Sequence, residues 1–141
     1  MVQSVSTAFV SLNSGARIPQ LGLGVWQAGG ATKTAVATAL GAGYRHVDTA
    51  AVYGNEAPVG SAIAESGIPR SEVFVTTKLW NQNHGYDAAL RAFDTSLQRL
   101  RLDYDRALEA LRAQANAENR GVGELASSMV EAANRLNSIR R

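Results

Sequence analysis

Three residues in this chain could move a proton together: Asp48, Tyr53 and Lys78. Asp48 stands near the end of the extended run Tyr44–Thr49, and Lys78 near the end of a second run, Val73–Leu79. Tyr53 follows Asp48 in the loop between them. A strand–helix–strand unit is right-handed and parallel, so both charges emerge at the same sheet edge. Neighbouring strands lie about 4.8 Å apart, which allows an Asp48–Lys78 ion pair beside the phenol of Tyr53. An ammonium next to a phenol favours the phenolate form. Such a phenol suits general acid catalysis near neutral pH.

The elements that must position these residues are legible in the pattern. Phe9–Leu12 and Ala16–Ile18 flank Asn13-Ser14-Gly15 and predict a hairpin. Gln20–Trp26 reads as a strand whose Gly22 and Gly24 allow close approach to the backbone. Its GLG is not a dinucleotide fingerprint, because the third glycine and an immediate helix start are absent. Ala31–Leu40 predicts a helix stopped by Gly41 and Gly43. In the next strand, Tyr44, His46 and Asp48 share one face, and Arg45, Val47 and Thr49 the other. His46 lies about 6.6 Å below Asp48 and reads as an interior imidazole with a hydrogen-bond partner. Asn55 is the expected N-cap of a second helix, with Pro58 in its first turn and Gly67 beyond its end. Val73–Leu79 places Phe74, Thr76 and Lys78 on one face. Lys78 reads as a paired lysine, because a surface lysine fits poorly on so apolar a strand. His84, in the polar stretch NQNHGYD, is expected to be solvated.

The motifs VDTAAVYGNE and TTKLWN, preceded by IPQLGLGVW and GYRHVDTA in the same order, resemble the aldo-keto reductases. The likeness is to the bacterial branch that includes diketogluconate reductases, and it covers about residues 9–104. It implies an α/β fold: an N-terminal hairpin and three βα units of a (β/α)8 barrel, a partial barrel over residues 1–103. It implies Tyr53 as the proton donor, tuned by Asp48 and Lys78. Val25, Trp26 and Asp48 would lie against the cofactor, with Trp26 and Trp80 as walls of the substrate pocket. An aromatic alone would favour the core over a site. The implied cofactor is NADPH, delivering hydride to a small-molecule carbonyl substrate.

After LRLDY the chain departs from the family's pattern. The family turns into a fourth strand ending in a catalytic His before Trp-Pro, whereas this chain reads DRALEALRAQANAENR. Leu90, Phe93, Leu97, Leu100, Tyr104, Ala107 and Leu111 form a heptad seam with no Gly or Pro between Tyr86 and Arg120. The spacing predicts one helix from Asp87 to about Ala117, roughly 45 Å long at 1.5 Å per residue. Gly121-Val122-Gly123 breaks it, and Leu125, Met129, Ala132, Leu136 and Ile139 resume the stripe. Residues 104–141 therefore read as a helical hairpin-like extension.

At 141 residues the chain is about one domain, and a whole (β/α)8 barrel takes about 250. On this reading the catalytic His and the loops that hold the cofactor's phosphates are missing. The alternative is a non-catalytic half-barrel and helical-hairpin chimera, or a truncated remnant, whose open strand edge and apolar face are covered by the tail, a second copy or both, so a homo-oligomer is expected. A net charge of +2 gives no reason to expect a nucleic-acid partner. The absence of cysteine excludes a disulfide framework and a Cys nucleophile, and two histidines give little basis for a metal site. No membrane span or signal peptide is read, so a cytoplasmic protein is expected.

Overall fold

A computed structural model describes residues 8–103 of the chain. Strands β1 (Phe9–Ser11) and β2 (Arg17–Pro19) pair antiparallel, with Val10 opposite Ile18. Gly15, at φ +82°, takes the left-handed position of the turn, where a side chain would be strained. The expected hairpin is present.

Strand β3 (Leu23–Gly24), helix α1 (Thr32–Gly41), strand β4 (His46–Asp48), helix α2 (Glu56–Glu65), strand β5 (Phe74–Thr76) and helix α3 (Tyr86–Leu100) follow. The sheet order is β3-β4-β5, all parallel, with Gly24 opposite Asp48 and Asp48 opposite Thr76. These are three βα units in series, with the helices covering one face.

The core lies between that face and the helices. Val25, Val36, Leu40, Val47, Val59, Ala62, Ile63, Val73 and Leu100 form one buried cluster. Burying each large aliphatic side chain contributes about 1.5–3 kcal/mol. The period-2 alternation sends Val47 and Thr49 into this core and leaves His46 and Asp48 half-buried on the opposite face. That half-covered face carries the polar residues.

One sequence expectation holds in part, and two require correction. Asn55 occupies the N-cap position of α2, but its side chain makes no capping bond. It reaches across the core instead. His84 is half-buried rather than solvated. The helix expected to run from Asp87 to about Ala117 ends at Leu100, where Arg101 turns left-handed at φ 56°. The Arg101 amide donates to the Gln98 carbonyl at 3.2 Å, and the Leu102 amide to the Leu97 carbonyl at 2.9 Å. This is a Schellman closure with arginine in glycine's usual place. Leu102 then packs against the core, so burial of its side chain offsets the cost of the left-handed residue. The helical hairpin expected beyond residue 104 lies outside the described residues.

Candidate active site

The carboxyl ends of β3, β4 and β5 converge. One step past β3, the Val25 amide donates to the Asp48 carbonyl at 3.1 Å. Past β4, the Thr49 amide donates to the Thr76 carbonyl at 2.8 Å. The Ala51 amide donates to the Lys78 carbonyl at 3.2 Å, which ties the loop carrying Tyr53 to the end of β5. These bonds extend the parallel ladder beyond the regular strands and bring Asp48, Tyr53 and Lys78 together.

Lys78 Nζ donates to Asp48 Oδ1 at 2.5 Å and to the Thr49 carbonyl at 3.0 Å. The same ammonium lies 5.3 Å from the centroid of the Tyr53 ring. Tyr53 ends a short 3-10 turn, Ala51–Tyr53, and Gly54 follows with a left-handed backbone at φ 67°. The turn brings the Tyr53 ring beside the Lys78 ammonium. Lys78 and Asp48 have side-chain exposures of 47% and 34%, so solvent and a ligand can reach them. Hydrogen bonding and ion pairing hold the ammonium beside the Tyr53 ring and leave it partly open to solvent.

Trp26 stands beside Tyr53, with ring centroids 6.3 Å apart and planes tilted by 31°. It is 69% exposed, and Trp80 is 42% exposed. Neither tryptophan belongs to the core, and exposed large aromatics next to a polar cluster suit a binding surface. Val25 differs from the other sequence-derived site residues. Its side chain is 1% exposed within the core. Its amide bonds Asp48, and its carbonyl accepts from Asn55 Nδ2 at 2.8 Å. Val25 thus supports the site from below, and Trp26 next to it faces outward.

His46 sits lower on the same face, as expected. Its Nε2 lies 3.0 Å from Thr76 Oγ1, and its ring meets Phe74 edge-on at 5.5 Å. Its Nδ1 is buried without a hydrogen-bond partner, so the expectation of a satisfied imidazole holds for one nitrogen only. These contacts hold His46 to β5 rather than to the Tyr53 loop. Among the described residues, no group of three or more His, Cys, Asp or Glu side chains could hold a metal ion. Among them too, no helix is long and apolar enough to cross a membrane.

The model of the aldo/keto reductase family matches residues 20–131. This chain belongs to that family. The match to the family model reaches past residue 104. An aldo-keto reductase of Mycolicibacterium smegmatis is 60% identical over 96 residues, 67% of this chain and 35% of the relative. The crystal structure of an aldo/keto reductase from Brucella melitensis superposes with a TM-score of 0.67 at 56% identity. It covers 70% of this chain and 39% of that one. An aldo-keto reductase of Bombyx mori, solved in complex with NADP, gives a TM-score of 0.68 at 43% identity. It covers 72% of this chain and 36% of that one. The chain thus spans about a third of the length of the aldo/keto reductases it matches. Its three βα units correspond to part of their barrel.

Sequence reasoning missed four residues of this candidate site: Thr49, Asn55, Glu56 and Thr77. Thr49 Oγ1 donates to Asn55 Oδ1 at 2.7 Å, and Thr77 Oγ1 donates to Glu56 Oε1 at 2.7 Å. One signal could have found Glu56. It starts the stripe Glu56, Val59, Gly60, Ile63, and the other three positions read as a buried face.

Proposed function

We propose that this chain carries the proton-transfer site of an NADPH-dependent carbonyl reductase. The observation that carries the proposal is the Lys78 ammonium. It bridges Asp48 Oδ1 and the Thr49 carbonyl while lying against the Tyr53 ring.

The residues around the site fit a nicotinamide ring. Gly24 is exposed, and a Cβ built on it meets nothing within 4 Å, so a flat ring can approach the strand end there. Trp26 and Tyr53 offer adjoining aromatic surfaces, and Asp48 offers a partly exposed carboxylate. When bound, the reduced nicotinamide supplies a hydride to the carbonyl carbon. Tyr53 donates its phenolic proton to the carbonyl oxygen, so that C=O becomes CH–OH. Lys78 stabilises the phenolate left on Tyr53, and Asp48 holds Lys78 in place. The phenol is then reprotonated from solvent through the exposed side of the site.

The test is a fluorescence titration of the full chain with NADPH, followed by carbonyl reduction assays with wild type and Tyr53→Phe. Saturable micromolar binding, with turnover lost in Tyr53→Phe, is the expected result. No binding up to millimolar NADPH would refute the reading for the isolated chain.

A second reading is a non-catalytic half-barrel that self-associates. One observation favours it: Phe9, Val10 and Leu21 are each about half exposed, and the His46–Phe74 face of the sheet is incompletely covered. Sedimentation of the same sample separates the two. A stable homo-oligomer with no affinity for NADPH supports this second reading.

A further inference from the structure

Asn55 and Glu56 are adjacent, polar and buried, at 4% and 1% exposure. The proton-transfer chemistry uses neither of them. They follow Tyr53 by two and three residues. Their hydrogen bonds go to the immediate neighbours of Trp26, Asp48 and Lys78. Asn55 Nδ2 donates to the carbonyl of Val25, next to Trp26, at 2.8 Å. Asn55 Oδ1 accepts from Thr49, next to Asp48, at 2.7 Å. Glu56 Oε1 accepts from Thr77, next to Lys78, at 2.7 Å. A longer contact of 3.4 Å joins Asn55 Nδ2 to Thr32 at the start of α1. On the other side, Arg99 Nη1 of α3 lies 3.4 Å from Glu56 Oε2.

We infer that Asn55 and Glu56 are positioning residues, which set the mutual register of Trp26, Asp48, Tyr53 and Lys78. The role is defined for the proton-transfer site proposed above. The physical reason lies in the difference between two kinds of contact. The aliphatic core under the sheet is non-directional and does not by itself fix how the strand ends slide past one another. A buried and fully partnered polar network does, because a displaced strand leaves a donor or acceptor unsatisfied. One dipeptide touches the ends of all three strands and is joined to the Tyr53 loop through Gly54. A misplacement of about 1 Å at a reacting group costs on the order of 10²-fold in rate. A device that pins three strand ends to one loop therefore acts where position matters most.

The competing possibility is that the pair only stabilises the fold. The two are separated in the full chain by labelling its tyrosines with fluorotyrosine. The four signals come from Tyr44, Tyr53, Tyr86 and Tyr104, and Tyr53→Phe assigns the one of interest. Thr77→Val removes the hydroxyl that Glu56 holds, and Thr77→Ser keeps it. The expected result is that Thr77→Val shifts the Tyr53 fluorine resonance by more than its linewidth. The Tyr44 and Tyr86 signals stay in place, and Thr77→Ser restores the wild-type position. In an active preparation, kcat should fall about tenfold or more in Thr77→Val with KM little changed, in line with a positional effect. A Tyr53 signal that stays put while the unfolding midpoint drops would overturn the inference. So would equal shifts in the Ser and Val variants, since packing alone would then explain them. The same Ser and Val comparison at Thr49 tests the other arm if Thr77→Val does not fold. The fluorine signal needs no turnover. If Tyr53 responds as expected and wild type reduces no carbonyl, positioning stands and the reductase reading fails.

Discussion

Replacing Gly60 with alanine sets two effects of opposite sign against each other. Gly60 lies within α2, where alanine is favoured over glycine by about 1 kcal/mol. On propensity alone the variant is more stable. The packing says otherwise. A Cβ on Gly60 would stand 2.6 Å from both the carbonyl carbon and the carbonyl oxygen of Leu100, and 2.8 Å from the Arg99 carbonyl oxygen. Ordinary contact begins near 3.4 Å, so α2 and the end of α3 must separate by about 0.8 Å. The opposing atoms are backbone and cannot rotate away. They also belong to the Schellman turn and to the residue that pairs with Glu56. Overpacking a well-filled contact costs about 1–3 kcal/mol. With immovable partners the upper value applies, about 3 kcal/mol, and subtracting about 1 for propensity leaves about 2 kcal/mol of destabilisation. At about 4 °C per kcal/mol the melting midpoint falls by about 8 °C. Gly41→Ala is the internal control. Gly41 is the last residue of α1, and a Cβ there meets nothing within 4 Å, so alanine should stabilise by up to about 1 kcal/mol. Urea unfolding followed by tryptophan fluorescence reads both variants. A Gly60→Ala chain as stable as Gly41→Ala would refute the close packing of α2 on α3.

Tyr53→Phe should lower carbonyl reduction by about 10²–10⁴-fold while leaving unfolding within about 0.5 kcal/mol of wild type, as measured by steady-state assays and urea melts. Gly22→Ala should destabilise by about 1–3 kcal/mol. Its Cβ would lie 2.5 Å from His46 Nδ1, so the imidazole must leave Thr76, which proton NMR of the His46 ring detects. Arg99→Met should destabilise by about 1–3 kcal/mol, because it leaves one oxygen of the buried Glu56 carboxylate without its partner. The double variant with Glu56→Gln should recover part of that loss, with a coupling energy of about 0.5–3 kcal/mol in a double-mutant cycle.

The apolar pattern of the sequence carries most of the fold of the described residues. Val47 and Thr49 were expected opposite His46 and Asp48, and the alternation holds because burial of one sheet face enforces it. The Asp48–Lys78 pair was legible for the same reason: parallel strands deliver their carboxyl ends to one edge. The end of α3 was not legible. Its stop is an arginine in a left-handed conformation, and no glycine or proline marks it. What ends the helix is tertiary, the packing of Leu102 on the core, and a heptad count along the chain carries no information about that. The stripe continued through Tyr104 in sequence while the backbone turned away at Arg101.

Asn55 and Glu56 were illegible for a different reason. Asn55 has the type and position of an N-cap, and its backbone carbonyl does accept from Val59 at 3.2 Å. Local rules therefore account for it completely and leave no residue of surprise to follow. Yet its side chain spends its hydrogen bonds on Val25, Thr49 and Thr32, which are distant in sequence. Glu56 has the composition of a helix surface and the periodicity of a core position, and periodicity wins because Thr77 and Arg99 satisfy its carboxylate. Such conflict between residue type and position marks places where a fold accepts a cost for a function. Here the conflict falls within three residues of the phenol, on the segment that joins the ends of all three strands. In this partial barrel Asp48, Tyr53 and Lys78 meet at one sheet edge, and the polar pair behind them ties the neighbours of Trp26, Asp48 and Lys78 to the Tyr53 loop.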